Sequence, residues 1–181
     1  MKKKSPTKAK SGHRPSRPAG TSKSKAQLEG REAERALHGF IAKYTPAVQS
    51  LARTALRKMR KLCPGAIEMV YDNYNFLAIG FGPTDRPSEA IFSLALAPRW
   101  IILCFLQARN RLPDPRKLLQ GSGSVVRHIR ILNAERLDDP AIVALMTHAN
   151  RIARVPLAPR SKRRIIIKSV SAKQRPRRPA E

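Results

Sequence analysis

The chain has 181 residues, with 37 Lys/Arg against 12 Asp/Glu, a net charge of +25 and a mean hydropathy of −0.41. It contains no apolar run long enough for a membrane-spanning helix, and its basic start lacks the apolar stretch of a secretory signal. Two cysteines, Cys63 and Cys104, suit a reducing cytosol better than a disulfide-stapled secreted domain, so a cytoplasmic location is expected.

Residues 1–27 carry nine Lys/Arg and no acid among Ser, Pro, Ala and Gly. Such a segment buries too little apolar surface to offset chain entropy and reads as a disordered basic tail. It has no aromatic residue, so any nucleic-acid contact would go through phosphates, without sequence preference and sensitive to salt. A solvated extension is the commoner meaning of such a charge run.

Residues 28–44 form the first predicted helix, with Ala33, Leu37, Phe40, Ile41 and Tyr44 on one face. Thr45-Pro46 starts a second helix, striped by Val48, Leu51, Ala52, Ala55, Leu56, Met59 and Leu62 and stopped at Cys63-Pro64-Gly65. From Ala66 the period changes to two. Ile67, Met69 and Tyr71 alternate with Glu68, Val70 and Asp72, the pattern of a half-buried strand. Asn73-Tyr74-Asn75 is a turn, and residues 76–81 resume extended structure. Residues 89–97 and 100–106 flank Pro98-Arg99 as a hairpin, and residues 124–132 form a further strand. Asp139-Pro140 starts a third helix, and Ile165-Ile166-Ile167 marks a short strand near the end. Grouped helices and mostly hairpin strands predict an α+β fold and not a parallel α/β sheet. One domain is expected over residues 28–170, followed by a basic C-terminal tail at 171–181. Residues 28–153 hold 18 Lys/Arg against 11 acids, so the positive charge reads mainly as a property of the ends.

No catalytic signature stands out. Gly121-Ser122-Gly123 precedes a strand, whereas phosphate-cradling loops lead into a helix. No His stands at metal-ligand spacing, and no nucleophile is paired with a base. Glu29, Glu32 and Glu34 suit a helix first turn more than a cation site. His128 and Arg130 share a strand face that could hold an anion, with an edge strand kept soluble by charge as the plainer reading. The polar–aromatic run at residues 71–76, with Trp100 and Phe105, could line a small-molecule cleft or simply pack a hairpin corner.

Several stretches together resemble a known family. They are residues 71–76, Gly80-Phe81-Gly82-Pro83, residues 100–107, Leu112-Pro113-Asp114, residues 121–131, and residues 167–179. The pattern is similar to the YdhG-like domain-of-unknown-function family of bacterial proteins and spans roughly Leu37 to Pro179. The resemblance implies a compact, frataxin-like α+β domain, with helices packed on one face of an antiparallel sheet, and draws residues 171–179 into the family pattern. Some relatives are described as frataxin-like iron chaperones, a role that leans on an acidic ridge. This chain has only three acids in its first helix, so no iron-binding residue is carried over.

The expected function is a non-enzymatic module that binds a small anionic ligand, a metal complex or a partner protein, without a cofactor and without a membrane. Its expected site is Tyr71, Asp72, Tyr74, Trp100, Arg127, His128, Arg130 and Lys168, with no catalytic and no metal-binding residue assigned. The alternative is a nucleic-acid-associated protein that binds polyanions through its basic tails.

Overall fold

The computed structural model describes residues 29–159 and 161–179. Helices α1 (Gly30–Ala42) and α2 (Pro46–Leu62) form where the apolar spacing follows one helical face. Ala33, Leu37 and Ile41 of α1 are buried, as are Val48, Ala52, Ala55, Leu56 and Met59 of α2. The break between the helices is chemical. The Thr45 hydroxyl accepts a hydrogen bond from the Val48 N–H, and Pro46 fills a position whose N–H would have no helical partner. The strands are β1 (Ile67–Asp72), β2 (Leu77–Gly82), β3 (Phe92–Leu96), β4 (Ile101–Phe105), β5 (Arg127–Ile131) and β6 (Arg164–Val170). Helix α3 (Pro140–Arg151) lies between β5 and β6 in the chain, and the Asp139 carboxylate caps it by accepting from the Ala141 N–H.

The strands form one sheet in the order β5-β4-β3-β2-β1-β6. Strands β1 to β5 pair antiparallel, each with its chain neighbour. Strand β6 instead lies parallel to β1. The α+β class is as expected, but the sheet is mixed and not purely antiparallel. The reason is the crossover through α3, which returns the chain to the start of β1, beside Gly65 with its positive φ of 76°. A side chain there would meet the Ala158 and Ser161 carbonyl oxygens at 2.7 Å. The chain returning from α3 therefore passes against Gly65, at the start of β1. It enters β6 at that same end and runs in the same direction.

The register lines up Val70, Ile79, Leu94, Leu103, Ile129 and Ile167 across the sheet. These residues share one core with the buried side chains of all three helices. Tyr44, at the end of α1, fixes the layers together. Its buried hydroxyl accepts from the Leu77 N–H at 3.0 Å and donates to the Leu96 carbonyl at 2.9 Å.

The helix-facing side of β1 carries Glu68, Val70 and Asp72, so two carboxylates enter the core, at 1% and 0% exposure. Each is held by cations brought from elsewhere. Glu68 accepts from Arg60 Nε and Nη2, both at 2.8 Å, and from Arg163 Nη1 at 2.9 Å. Asp72 accepts from Lys43 Nζ at 2.6 Å, Gln174 Nε2 at 2.7 Å and Arg177 Nη2 at 2.9 Å. Arg177 is itself buried and also donates to the Asn73 carbonyl. Backbone bonds from Ser171 N to Asp72 O and from Arg175 N to Tyr74 O, both 2.9 Å, tie the same segment down. Composition makes residues 171–181 a tail; in the fold, residues 171–179 close over the end of the sheet.

The charge balance changes accordingly. Of the 37 Lys/Arg, 27 lie within the described residues, as do 11 of the 12 acids, which leaves +16 there. Nine of those Lys/Arg lie beyond residue 153, so the charge that composition assigns to the C-terminal end belongs in large part to β6 and the segment that closes over the sheet. No helix among the described residues is long and apolar enough to cross a membrane.

Removing one partner of a buried ion pair costs far more than removing an exposed charge, because the other ion stays desolvated. Arg177→Ala is expected to lower stability by about 3 kcal/mol in urea denaturation. Arg178→Ala, at an exposed position, should cost less than about 0.5 kcal/mol. Equal effects would show that Asp72 does not depend on Arg177.

Candidate functional site

The sheet face turned away from the helices has an unusual floor. In β2 the residues on that face are Ala78, Gly80 and Gly82, and in β3 they are Ser93 and Ala95. Their neighbours on the helix face are Leu77, Ile79, Phe81, Phe92, Leu94 and Leu96. Large side chains fill one side of the central strands and small ones leave the other side hollow. The chain crosses one end of this hollow at Ala90. Gly82 allows that approach, since a Cβ there would lie 3.1 Å from Ala90 Cα.

The result is a shallow trough whose deepest part is a recess of about 190 Å³. Met69 and Tyr71 of β1 wall one side of it, and Pro87, Ala90 and Leu106 cover part of it. Its lining is almost wholly apolar, with Ser93 and the Tyr71 hydroxyl as the polar groups. The Tyr71 oxygen is buried and has no hydrogen-bond partner. Loss of water raises the Tyr71 pKa above that of an ordinary phenol, so the group stays protonated and is a donor at neutral pH. A second cavity, of about 230 Å³, lies between α2 and α3 and includes Asn150. The Asn150 side-chain oxygen already accepts from the Leu157 N–H at 2.8 Å, so it offers less to a ligand.

The residues expected to form one site fall in separate places. Alternation along β1 sends Tyr71 into the trough and Asp72 into the core, where Lys43, Gln174 and Arg177 occupy it. Asp72 is therefore a structural anchor. Tyr74 is exposed, with the Arg175 guanidinium 5.6 Å from its ring centre. Trp100 lies in the β3–β4 turn, with Arg130 stacked 4.5 Å from its ring centre. This is one pair of predicted residues that the fold does bring together. His128 shares the trough's sheet face but sits on β5, an edge strand. Four strand spacings, about 19 Å, separate it from β1. Its backbone exchanges hydrogen bonds with Gln120 at 2.7 and 3.0 Å, which covers part of that edge. Arg127 donates to Asn110 Oδ1 at 2.5 Å, and Lys168 lies on β6 at the opposite edge, beside a register shift.

Residues 1–27, the N-terminal half of the tail-binding reading, lie outside the described residues. The C-terminal half loses Arg177 to the core. Among the described residues, no three His, Cys, Asp or Glu side chains converge as a metal site would need. Glu34 is held by Arg60 at 2.9 Å, and Glu29 lies 3.8 Å from Arg164. Both thiols are suppressed as nucleophiles. Burial pushes Cys63 up to about 12, with nearby Glu68 adding to it, and burial alone pushes Cys104 up to about 11.

Sequence reasoning missed Ala78, Gly80, Ser93, Pro87 and Ala90 as lining residues. The signal was present as a small–large alternation in β2 and β3, visible only once the strand register pairs the two small rows.

Compared with protein-family models, curated proteins and solved structures, the chain matches none. The YdhG-like resemblance rests on the motifs quoted for it.

Two measurements test this geometry. A buried hydroxyl without a partner costs desolvation energy, so Tyr71→Phe should raise the stability of the unliganded protein by about 1 kcal/mol. A loss of stability would mean that the hydroxyl is satisfied. For the thiols, the folded pKa values are raised above the ordinary value of about 8.5. Their contribution to stability is complete below about pH 8.5 and is lost as pH climbs through 11 towards 12. Iodoacetamide at about pH 9 should leave both cysteines unmodified in native protein and alkylate both in guanidinium; rapid native labelling contradicts the assignment.

Proposed function

We propose that this chain is a non-enzymatic binding module that holds a small ligand in the trough on the open face of its sheet. The observation that carries this reading is the unpartnered Tyr71 hydroxyl beside an apolar recess of about 190 Å³. Such a site suits a compact apolar body with one acceptor oxygen, and a carboxylate or carbonyl would take the Tyr71 proton in a hydrogen bond. The net charge of +16 around the fold favours the anionic member of that pair, because it raises the local anion concentration. A helix layer on one sheet face supports the frataxin-like reading of the resemblance, and the mixed strand directions count against a purely antiparallel version of it. Iron handling has less support, since Glu29 and Glu34 already face arginines.

Gly80 gives a direct test. A Cβ at this position would meet Met69 and Ala90 at 3.7–3.8 Å, ordinary contact distances, so a side chain can be added without moving the backbone. Protein purified from its own cells should carry a small molecule by native mass spectrometry. Gly80→Val should remove it, and Tyr71→Phe should weaken it about tenfold, the equivalent of one hydrogen bond. Wild-type protein that carries nothing, or an equal load on all three proteins, rejects the trough as the binding site.

A further inference from the structure

At the β6 edge, the start of α1 and residues 162–165 enclose an open cleft of about 610 Å³. Its lining includes four cations, Arg31, Lys162, Arg163 and Arg164, and two acids, Glu29 and Glu34. The acids do not balance the cations. Glu34 is taken up by Arg60 at 2.9 Å, outside the cleft lining, and by Arg163 at 3.7 Å; Glu29 lies 3.8 Å from Arg164. Arg163 also secures buried Glu68, yet its side chain remains 44% exposed. Arg31 and Lys162 are exposed and make no ion pair within 4 Å among the described residues.

We propose that this cleft is a binding surface for the phosphate backbone of nucleic acid, built into the folded body and independent of the trough. Charge complementarity selects a polyanion. The sequence adds to the argument: residues 1–27, with nine Lys/Arg and no acid, stand one residue before Glu29, which lines the cleft. Among the described residues no aromatic side chain lines the cleft, so it offers phosphate contacts without base stacking. None of the exposed large apolar residues lines it either, which favours nucleic acid over a lipid surface that wants an apolar anchor. Binding is therefore independent of sequence and steeply dependent on salt.

The test uses the full chain and a short labelled DNA duplex of mixed sequence, followed by fluorescence anisotropy across a salt series. Arg31→Gln/Lys162→Gln removes two cleft charges and leaves the Glu68 and Glu34 pairs intact. Arg99→Gln/Lys117→Gln removes the same net charge at exposed positions outside the cleft. The cleft variant should bind about tenfold more weakly, and its plot of log affinity against log salt should flatten by about 1.8, two phosphate contacts' worth. The control should change less than about twofold. Equal losses in both variants would reduce the effect to net charge and overturn the proposal. No loss in either would place binding outside the cleft and overturn it too. So would tighter binding to phosphatidylserine vesicles than to DNA, abolished by the cleft substitutions. Urea midpoints matching wild type exclude unfolding as the cause of a loss. Because the trough variants leave these residues untouched, either reading can fail alone.

Discussion

Two carboxylates on the core side of β1 set the terms for the rest of the molecule. Asp72 and Glu68 are buried in a layer otherwise made of Val, Ile, Leu and Phe. A lone buried carboxylate is too costly to keep, so each must be met by cations. The cations come from distant points in the chain: Lys43 and Arg177 for Asp72, Arg60 and Arg163 for Glu68. These pairs tie the end of α1, α2 and the C-terminal segment to β1. They also explain why a segment as polar as residues 171–179 is held against the fold. Its basic side chains are not all there for solvent, since Arg177 has less exposure than many leucines on protein surfaces.

The same constraint governs where charge is available. Most acids of the folded body are occupied by ion pairs or helix caps: Glu29, Glu34, Glu68, Asp72, Glu89, Asp138 and Asp139 all face a cation. Across the described residues 27 Lys/Arg stand against 11 acids, an excess of 16, and most of those cations are exposed. Such a body attracts anions over its whole surface, and selectivity has to come from shape. Two of its cavities are of opposite character. One is a cationic cleft at the β6 edge; the other is an apolar trough on the open sheet face with the unpartnered Tyr71 hydroxyl.

The trough follows from an asymmetry in side-chain size. Period-two alternation in β2 and β3 sends Leu, Ile and Phe to the helices and Gly, Ala and Ser to the other side. A sheet that buries only one face ordinarily carries polar residues on the other. Here the second face is small and apolar, walled by Met69 and Tyr71 and partly roofed by Ala90. Space is held open there by the absence of side chains, which is why one added group at Gly80 is enough to probe it.

Local chemistry wrote much of this fold into the sequence. Helical spacing, the Thr45-Pro46 and Asp139-Pro140 starts and the change of period at Ala66 fixed the elements and the α+β class, because caps and periodicity act between residues close in the chain. Strand direction was not local. The parallel placement of β6 depends on the crossover through α3, which returns the chain beside Gly65, nearly a hundred residues upstream of it. Which face of β1 is buried was not local either. An alternation of Ile67, Met69 and Tyr71 with Glu68, Val70 and Asp72 favours burying the apolar trio, and only the arrival of Arg60, Arg163, Lys43 and Arg177 makes the acidic side the inner one. For the same reason the eight residues picked as one site divided among core, trough and edges: neighbours in a strand point to opposite faces, and the distance between strands is decided by pairing order.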